Sequence, residues 1–450
     1  MRILSNLGAM TLEYLVDLIR INTVNPPGNE VEACKYLKNI LKKEDIPFTA
    51  IESAPGRGNI VARLKGSGTK RPFLLNAHLD VVPVERDKWS FDPFGSVIDN
   101  GFLYGRGAID MKQMVAMALS ILVTLRRECI FPSRDLIVAF VADEEAGCQF
   151  GSAFLVKNQK DLIDAEYGLT EGGGFALKVK NNTYISVCIA EKGVLWLRLD
   201  VHGQAGHASV PISTNAVVRL SNLVSKISRI KFPTHLSEPM KQFFFTLARN
   251  NAEKLTKKAF YRLFLNKRFT PYLMPIVLGL VEDNNGFNAM VRNTLTPTNL
   301  KAGSKENVIP SIASVNLDCR LLPGFSSENF LKDVKKRLTK EELTYTTFTI
   351  LQDQGPSASR IDTPFYKKIT QTIAKVIPEA IPIPFLTPGF TDAHFYRKLG
   401  MHMYGFIPMN VSSGNEFLRL FHGNNERISL ENLDFGSNTL MDLTRSVLFE

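Results

Sequence analysis

The sequence predicts an α/β protein with a larger domain interrupted by a smaller α+β domain. Three observations carry that expectation. Short apolar strand-like runs alternate with amphipathic helices through residues 1–193, the signature of a sheet covered on both faces. Beyond Glu191-Lys192-Gly193 the pattern changes to half-buried strands of period two. After about residue 353 the first pattern resumes. The larger domain is therefore expected at 1–193 and 353–450, and the inserted one at 194–352. A chain of 450 residues agrees with more than one domain, since a domain usually holds roughly 100–200.

Each element has a local reason. Leu12, Leu15, Val16 and Ile19 share one face of a helix expected over Thr11–Arg20, and Pro26-Pro27-Gly28 stops any continuation. Val31, Cys34, Leu37, Ile40 and Leu41 mark a second amphipathic helix. Asn59–Leu64, Pro72–Ala77 and Leu136–Ala142 read as strands. A helix from Asp110 to about Arg126 is apolar on most sides, so it should pack deeply. In the insertion, VLWLRLDVH over Val194–His202 alternates as a half-buried strand. A helix over Thr214–Ile230, a strand near 290–300, a strand over Ala313–Arg320, a helix capped by Ser326 or Ser327 and a strand over Thr344–Leu351 complete a β-α-β-β-α-β order. The stretch 234–285 is surplus to that order: basic, aromatic and expected to be helical. Thr363-Pro364 starts a helix, Pro388-Gly389 precedes another, and Ser429 caps the last.

Composition excludes several classes. A hydrophobic fraction of 44% with 22% charged residues describes a globular protein. The formal charge of +10 is concentrated: eleven Lys/Arg and only Glu238 and Glu253 lie between Lys226 and Arg268. A solvated basic face explains this, and no nucleic-acid recognition motif accompanies it. Five scattered cysteines without a C-x-x-C pair argue for a reducing compartment. The opening MRILSNLGAMTLEYL does not read as a secretory signal, and no apolar run reaches the ~18 residues of a membrane span. A cytoplasmic location is expected.

The chemistry lies in three stretches: NAHLDV at 76–81, GRGAIDMK at 105–112 and VADEEAG at 141–147. They place His78, Asp80, Asp110 and the adjacent Glu144 and Glu145 at the ends of expected strands. Carboxylates are seldom buried unless paired or bound to metal. Imidazole mixed with carboxylate suits a divalent cation such as Zn²⁺. His78 and Asp80 are two apart, so a continuing strand points both to one face, where Asp80 accepts the second ring N–H of a metal-bound His78. Asp110 follows Gly105-Arg106-Gly107, and by itself it reads first as a helix cap. Of Glu144 and Glu145, one can bind metal while the other acts as general base. Glu171 precedes three glycines. His207 and His422 sit among small or turn residues. Asn307 and Arg320 fall in the insertion, and the planar fork of Arg320 suits a carboxylate.

Taken in order, NAHLDVVP, GRGAIDMK, DEEAG, TEGGG, GQAGHAS, ENVIP, CRLLPG, PGFTDA and FHGNNERI resemble the aminoacylase / carboxypeptidase G / succinyl-diaminopimelate desuccinylase family of metallohydrolases. The resemblance spans nearly the whole chain. It implies a catalytic domain with a central mixed, zinc-peptidase-like sheet and an inserted lid used for dimerisation. It implies two Zn²⁺ ions, with Co²⁺ or Mn²⁺ as alternatives. His78 and Glu171 would complete one site, Glu145 and His422 the other, and Asp110 would bridge them. Glu144 matches the general base, Asp80 the partner of His78, and His207 a lid histidine that polarises the substrate carbonyl, often from the other subunit of a homodimer. Asn307, Arg320 and the Gly389 backbone match positions that hold the substrate carboxylate. The chain departs from ordinary members in its long 234–285 segment. Vacuolar carboxypeptidases and secreted N-fatty-acyl amino acid hydrolases look similar in carrying lid insertions.

The expected function is a two-metal amidohydrolase that cleaves an amide next to a free carboxylate in a peptide or N-acyl amino acid. The alternatives are an N-fatty-acyl amino acid hydrolase/synthase and, from another class, a non-catalytic binding protein on this scaffold. In 234–285, aromatics such as Phe243-Phe244-Phe245, Phe260, Tyr261, Phe264, Phe269 and Tyr272 interleave with Lys254, Lys257, Lys258, Arg262, Lys267 and Arg268. This reads either as a lid extension with a solvated basic face or as a cover for lipid-like acyl chains or an anionic membrane surface.

Overall fold

The structure, a computed structural model, describes residues 3–179, 181–251, 284–409 and 419–450, together with 263, 264, 266, 268–270 and 272–274. Lys254, Lys257, Lys258, Phe260, Tyr261, Arg262 and Lys267 of the basic aromatic stretch lie outside the described residues. The chain divides into two compact units. One comprises residues 1–189, 359–385 and 391–450, the other 190–358 and 386–390.

The first unit is built on a mixed sheet. Its strands run in the order Phe48–Ala54, Arg57–Leu64, Leu136–Val141, Phe73–His78, Tyr167–Thr170, His402–Gly405 and Asn182–Glu191. Phe73–His78 is parallel to both Leu136–Val141 and Tyr167–Thr170, and His402–Gly405 is parallel to Tyr167–Thr170. The other pairings along this order are antiparallel, hence a mixed sheet. The central strands are buried along their whole length, as near-continuous apolar runs require. Helix Lys112–Arg127 is buried on nearly every side and packs on helix Asn6–Arg20. That first helix begins five residues before the expected Thr11, because the Ser5 hydroxyl accepts a hydrogen bond from the Gly8 N–H and caps it there. Thr363 and Ser429 cap helices Pro364–Val376 and Leu430–Leu448.

The second unit contains a four-stranded antiparallel sheet in the order Thr294–Ala302, Ile312–Leu321, Gly193–His202 and Thr346–Gln354. Helices Ala216–Ile227 and Ser327–Lys335 complete the β-α-β-β-α-β order. The period-two pattern sets its core: Leu195, Leu197, Leu199 and Val201 pack with Ala313, Val315, Leu317 and Cys319 beneath Leu220, Leu223, Phe330 and Val334. In the described part of the extra segment, Phe243, Phe244, Phe264, Met240 and Met274 are buried, while Phe245, Phe269 and Tyr272 are exposed. Among the described residues no helix is long and apolar enough to cross a membrane.

Candidate metal centre

Parallel strands bring their carboxyl ends to one edge of a sheet, where α/β folds commonly place their sites. His78 ends its strand opposite Val141 of the neighbouring one. Three residues beyond Val141 come Glu144 and Glu145, in a short 3₁₀ turn that follows Asp143 at φ 69°. Glu171 directly follows the strand on the other side of His78. Asp110 arrives from a loop just before helix Lys112–Arg127. That loop turns at Gly107, whose φ is +89° and where a Cβ would lie 2.9 Å from the Lys112 side chain. His422 comes from the loop preceding strand Arg427–Ser429.

These side chains converge. The His78 Nε2 lies 3.2 Å from Asp110 Oδ1 and 3.8 Å from Glu171 Oε1. The His422 Nε2 lies 3.1 Å from Asp110 Oδ2 and 3.2 Å from Glu145 Oε2. Asp110 thus faces both imidazoles, one with each carboxylate oxygen. A Glu144 oxygen joins the His78 and Glu171 group, all within 4.8 Å of one another. The His78, Asp110, Glu145 and Glu171 side chains are 12% exposed or less, whereas His422 is 55% exposed.

The electrostatics are those of a cation site. Burial opposes a charged His78 ring, yet hydrogen bonds to Asp110 and Glu171 hold its pKa well above the usual histidine value. Hydrogen bonds to Asp110 and Glu145 raise His422 to about 10. Burial and then the Asp110 charge push Glu171 up to about 7. Burial and then Glu171 drive Glu144 well above the usual carboxylate range. Asp110 moves the other way: hydrogen bonds from His422 and His78 overcome its burial and hold it below the usual range. The Glu145 Oε1 is buried with no hydrogen-bond partner among the described residues. Four gathered carboxylates with an orphaned buried oxygen fit two divalent cations, which would balance four negative charges while both rings stay neutral.

Asp80 acts differently from the spacing argument. The His78 Nδ1 donates to the Asp80 backbone carbonyl at 2.9 Å, with the Asp80 carboxylate 3.6 Å away. That bond still fixes the tautomer and leaves Nε2 facing the carboxylates. The Asp80 carboxylate is already engaged. It accepts from the Glu144 and Glu145 N–H groups at 3.1 Å each and from Asn25 Nδ2 at 2.8 Å. It therefore positions the turn that presents both glutamates.

Sequence reasoning missed a buried layer behind the turn. Arg57 joins Glu30, Asp143 and Asn25, and Asp143 also accepts from the Phe150 N–H. Gly28 has φ +80°, and a Cβ there would lie 1.6 Å from Arg57 Nη1, so only glycine leaves room for the guanidinium. Glu426 was also missed. The available signal was an acid four residues after His422 in a motif already singled out.

His207, Asn307, Arg320 and Gly389 belong to the second unit. His207 and Asn307 lie at one two-stranded ladder, where Gly206–His207 pairs with Val308–Ile309 and the Ala208 N–H donates to the Asn307 carbonyl. His207 is exposed, with Nδ1 2.7 Å from Ser209 Oγ. The Arg320 fork is engaged by Asp318, at 2.6 and 2.9 Å. The Gly389 N–H donates to Thr387 Oγ1 at 3.2 Å.

The family model of peptidase family M20/M25/M40 matches residues 74–446. The chain is 30% identical over 372 residues to the N-fatty-acyl-amino acid synthase/hydrolase PM20D1 of Mus musculus, covering 80% of this chain and 71% of that protein. It is 27% identical to a probable carboxypeptidase S-like 2 of Dictyostelium discoideum, covering 80% and 69%. Among solved structures, an M20 family metallo-carboxypeptidase from Sulfolobus solfataricus superposes with a TM-score of 0.73 at 17% identity, over 96% of this chain and 98% of that one.

Proposed function

Because the chain belongs to peptidase family M20/M25/M40, and is thus a metal-dependent hydrolase of amide bonds, we propose that it cleaves the amide next to a free carboxylate in peptides or N-acyl amino acids, using two Zn²⁺ ions. The observation that carries this reading is Asp110, whose two oxygens face His78 and His422 separately. His78 and Glu171 would hold one ion, Glu145 and His422 the other, and Asp110 both. Co²⁺ or Mn²⁺ would satisfy the same mixed ligands. Ions held there would lower the pKa of a bound water and polarise the substrate carbonyl.

The chain's own residues do the rest. Glu144 takes the proton of the attacking water and returns it to the leaving nitrogen. Asp80 holds the turn that aims it. His207 polarises the carbonyl from the lid, across the interface of a homodimer. Arg320, released from Asp318, grips the substrate carboxylate with Asn307 and the Gly389 N–H. Five scattered cysteines without a C-x-x-C pair support a cytoplasmic location. The test is turnover of a panel of dipeptides and N-acyl amino acids, with carboxylates free or amidated. Cleavage only of free-carboxylate substrates is expected, and equal cleavage of amidated ones overturns the carboxylate reading.

A second reading has its own support. The PM20D1 relative and the buried aromatic cluster of Phe243, Phe244 and Phe264 both favour N-fatty-acyl amino acids as substrates. Long-chain over short-chain preference in the same panel separates the two readings.

A further inference from the structure

We infer that Glu426 is a positioning residue that clamps the two ligand loops together, so that Asp110 and His422 are aligned as one unit. The inference rests on the two-metal reading and assigns a role to a residue outside its ligand set. Glu426 is fully buried, and its carboxylate accepts hydrogen bonds from four donors. Oε2 takes Arg106 Nη1 at 2.7 Å and the Gly107 N–H at 3.1 Å. Oε1 takes the Ile109 N–H at 2.8 Å and the Asp110 N–H at 3.1 Å. Three of those donors are backbone N–H groups of the loop that ends at Asp110. The backbone adds a fifth tie, since the Gly105 N–H donates to the Glu426 carbonyl at 3.0 Å.

The other half of the clamp is His422. Four residues before Glu426, it sits at φ 56°, and Asn425 at φ 58°, in a backbone region that side chains seldom occupy unless surrounding structure holds them there. The Arg106 guanidinium supplies that hold from the Asp110 side. It is buried over the Trp89 ring, pairs with Glu426, and places Nη2 3.4 Å from the His422 carbonyl, a long contact. One charged pair therefore touches the main chain of both loops. Asp110 is the ligand the two sites share, so slack in its loop loosens both sites at once.

The donor set also says which substitution matters. All four partners are donors, so a carboxylate matches them and an amide does not. In Glu426→Gln the amide nitrogen would face N–H groups, at unchanged volume and without a buried charge.

The test is Co²⁺ titration of the metal-free full chain, read by the visible absorption of the bound ion, with thermal unfolding of the metal-free proteins alongside. Wild type is expected to take two equivalents. Glu426→Gln should fold and bind both equivalents about 10–100-fold more weakly, with an altered absorption spectrum. Glu426→Asp keeps the charge but withdraws it by one methylene, and should fall between the two. Wild-type affinity and spectrum in Glu426→Gln overturn the clamp. So does loss of one equivalent with the other unchanged. If wild type itself takes up no Co²⁺, the metal-centre reading fails first. Should neither variant fold, hydrogen exchange on the unmodified metal-free protein decides. Slow exchange at the Gly107, Ile109 and Asp110 amides is expected, and fast exchange overturns the clamp.

Discussion

Glu144 and Glu145 are sequence neighbours with opposite duties in the proposed site, and single substitutions separate them. Glu144→Gln should lower kcat by about 10²–10⁴ while bound metal stays near the parental content, because only the proton carrier is lost. Glu145→Gln should instead lose metal. Kinetics beside metal analysis checks the pair, and the reverse pattern would exchange their roles. Asp80→Ala should weaken metal binding and activity by about 10–100-fold. Its carboxylate seats both glutamate N–H groups, so the variant should lower kcat as well as affinity. A variant with parental kcat would leave Asp80 without a role at the turn. Titration gives a third expectation. His422 moves from its ordinary 6.5 to about 10 in the metal-free fold, so its contribution to stability is full below about pH 6.5 and is lost as pH rises towards 10. Glu171, raised from 4.5 to about 7, weakens the metal-free fold in the same direction between those values. The metal-free melting temperature should therefore fall as pH rises from about 5 to 7; above that, burial of Lys112 and Lys192, which lowers each pKa to about 7, opposes the His422 contribution. Metal competes with the His422 and Glu171 protons, so apparent affinity should rise from about pH 5 to 10, with protons released on binding. A metal-free melting temperature that rises between about pH 5 and 7 would contradict this charge pattern.

At the scale of elements, legibility follows physical cause. Strands Arg57–Leu64, Phe73–His78 and Leu136–Val141 were readable because both faces are buried and the apolar run is continuous. Caps were readable where a hydroxyl precedes an amphipathic run, as at Thr363, Ser326 and Ser429. Strand Ala380–Thr387 was hidden by Pro382 and Pro384, which mark against a strand when only sequence is seen. The proposed ligands His78, Asp110, Glu145, Glu171 and His422 were named through motifs; His78, Glu145 and Glu171 meet at three parallel strand ends and Asp110 and His422 join them from loops, a convergence that no spacing encodes. Glu426 and Arg57 stayed invisible because a buried ion pair has no periodicity. The cap is open to a direct check. Ser429 accepts from the Asn432 N–H at 3.1 Å, so Ser429→Ala should cost about 1 kcal/mol in urea unfolding while leaving metal content unchanged. A cost near zero would mean that packing alone starts that helix.

For the whole molecule, the larger catalytic domain and the lid are proposed to act together as a homodimer, with His207 working in the partner's site. Glu144→Gln protomers mixed with His207→Ala protomers should then recover part of the activity that each lacks alone. No recovery despite proven subunit exchange would put His207 in its own chain's site. The basic aromatic segment is proposed to cover an apolar acyl group, and binding to anionic liposomes at low salt would extend that role to a membrane surface. The central claim is a shared two-metal centre that makes an amidohydrolase, and metal titration of the metal-free protein under assay tests it most directly. Hydrolysis of an N-acyl amino acid should be absent at first and should reach its maximum at two equivalents of Zn²⁺ per chain. Full activity in the chelated protein, or a maximum at one equivalent with the second silent, would contradict it.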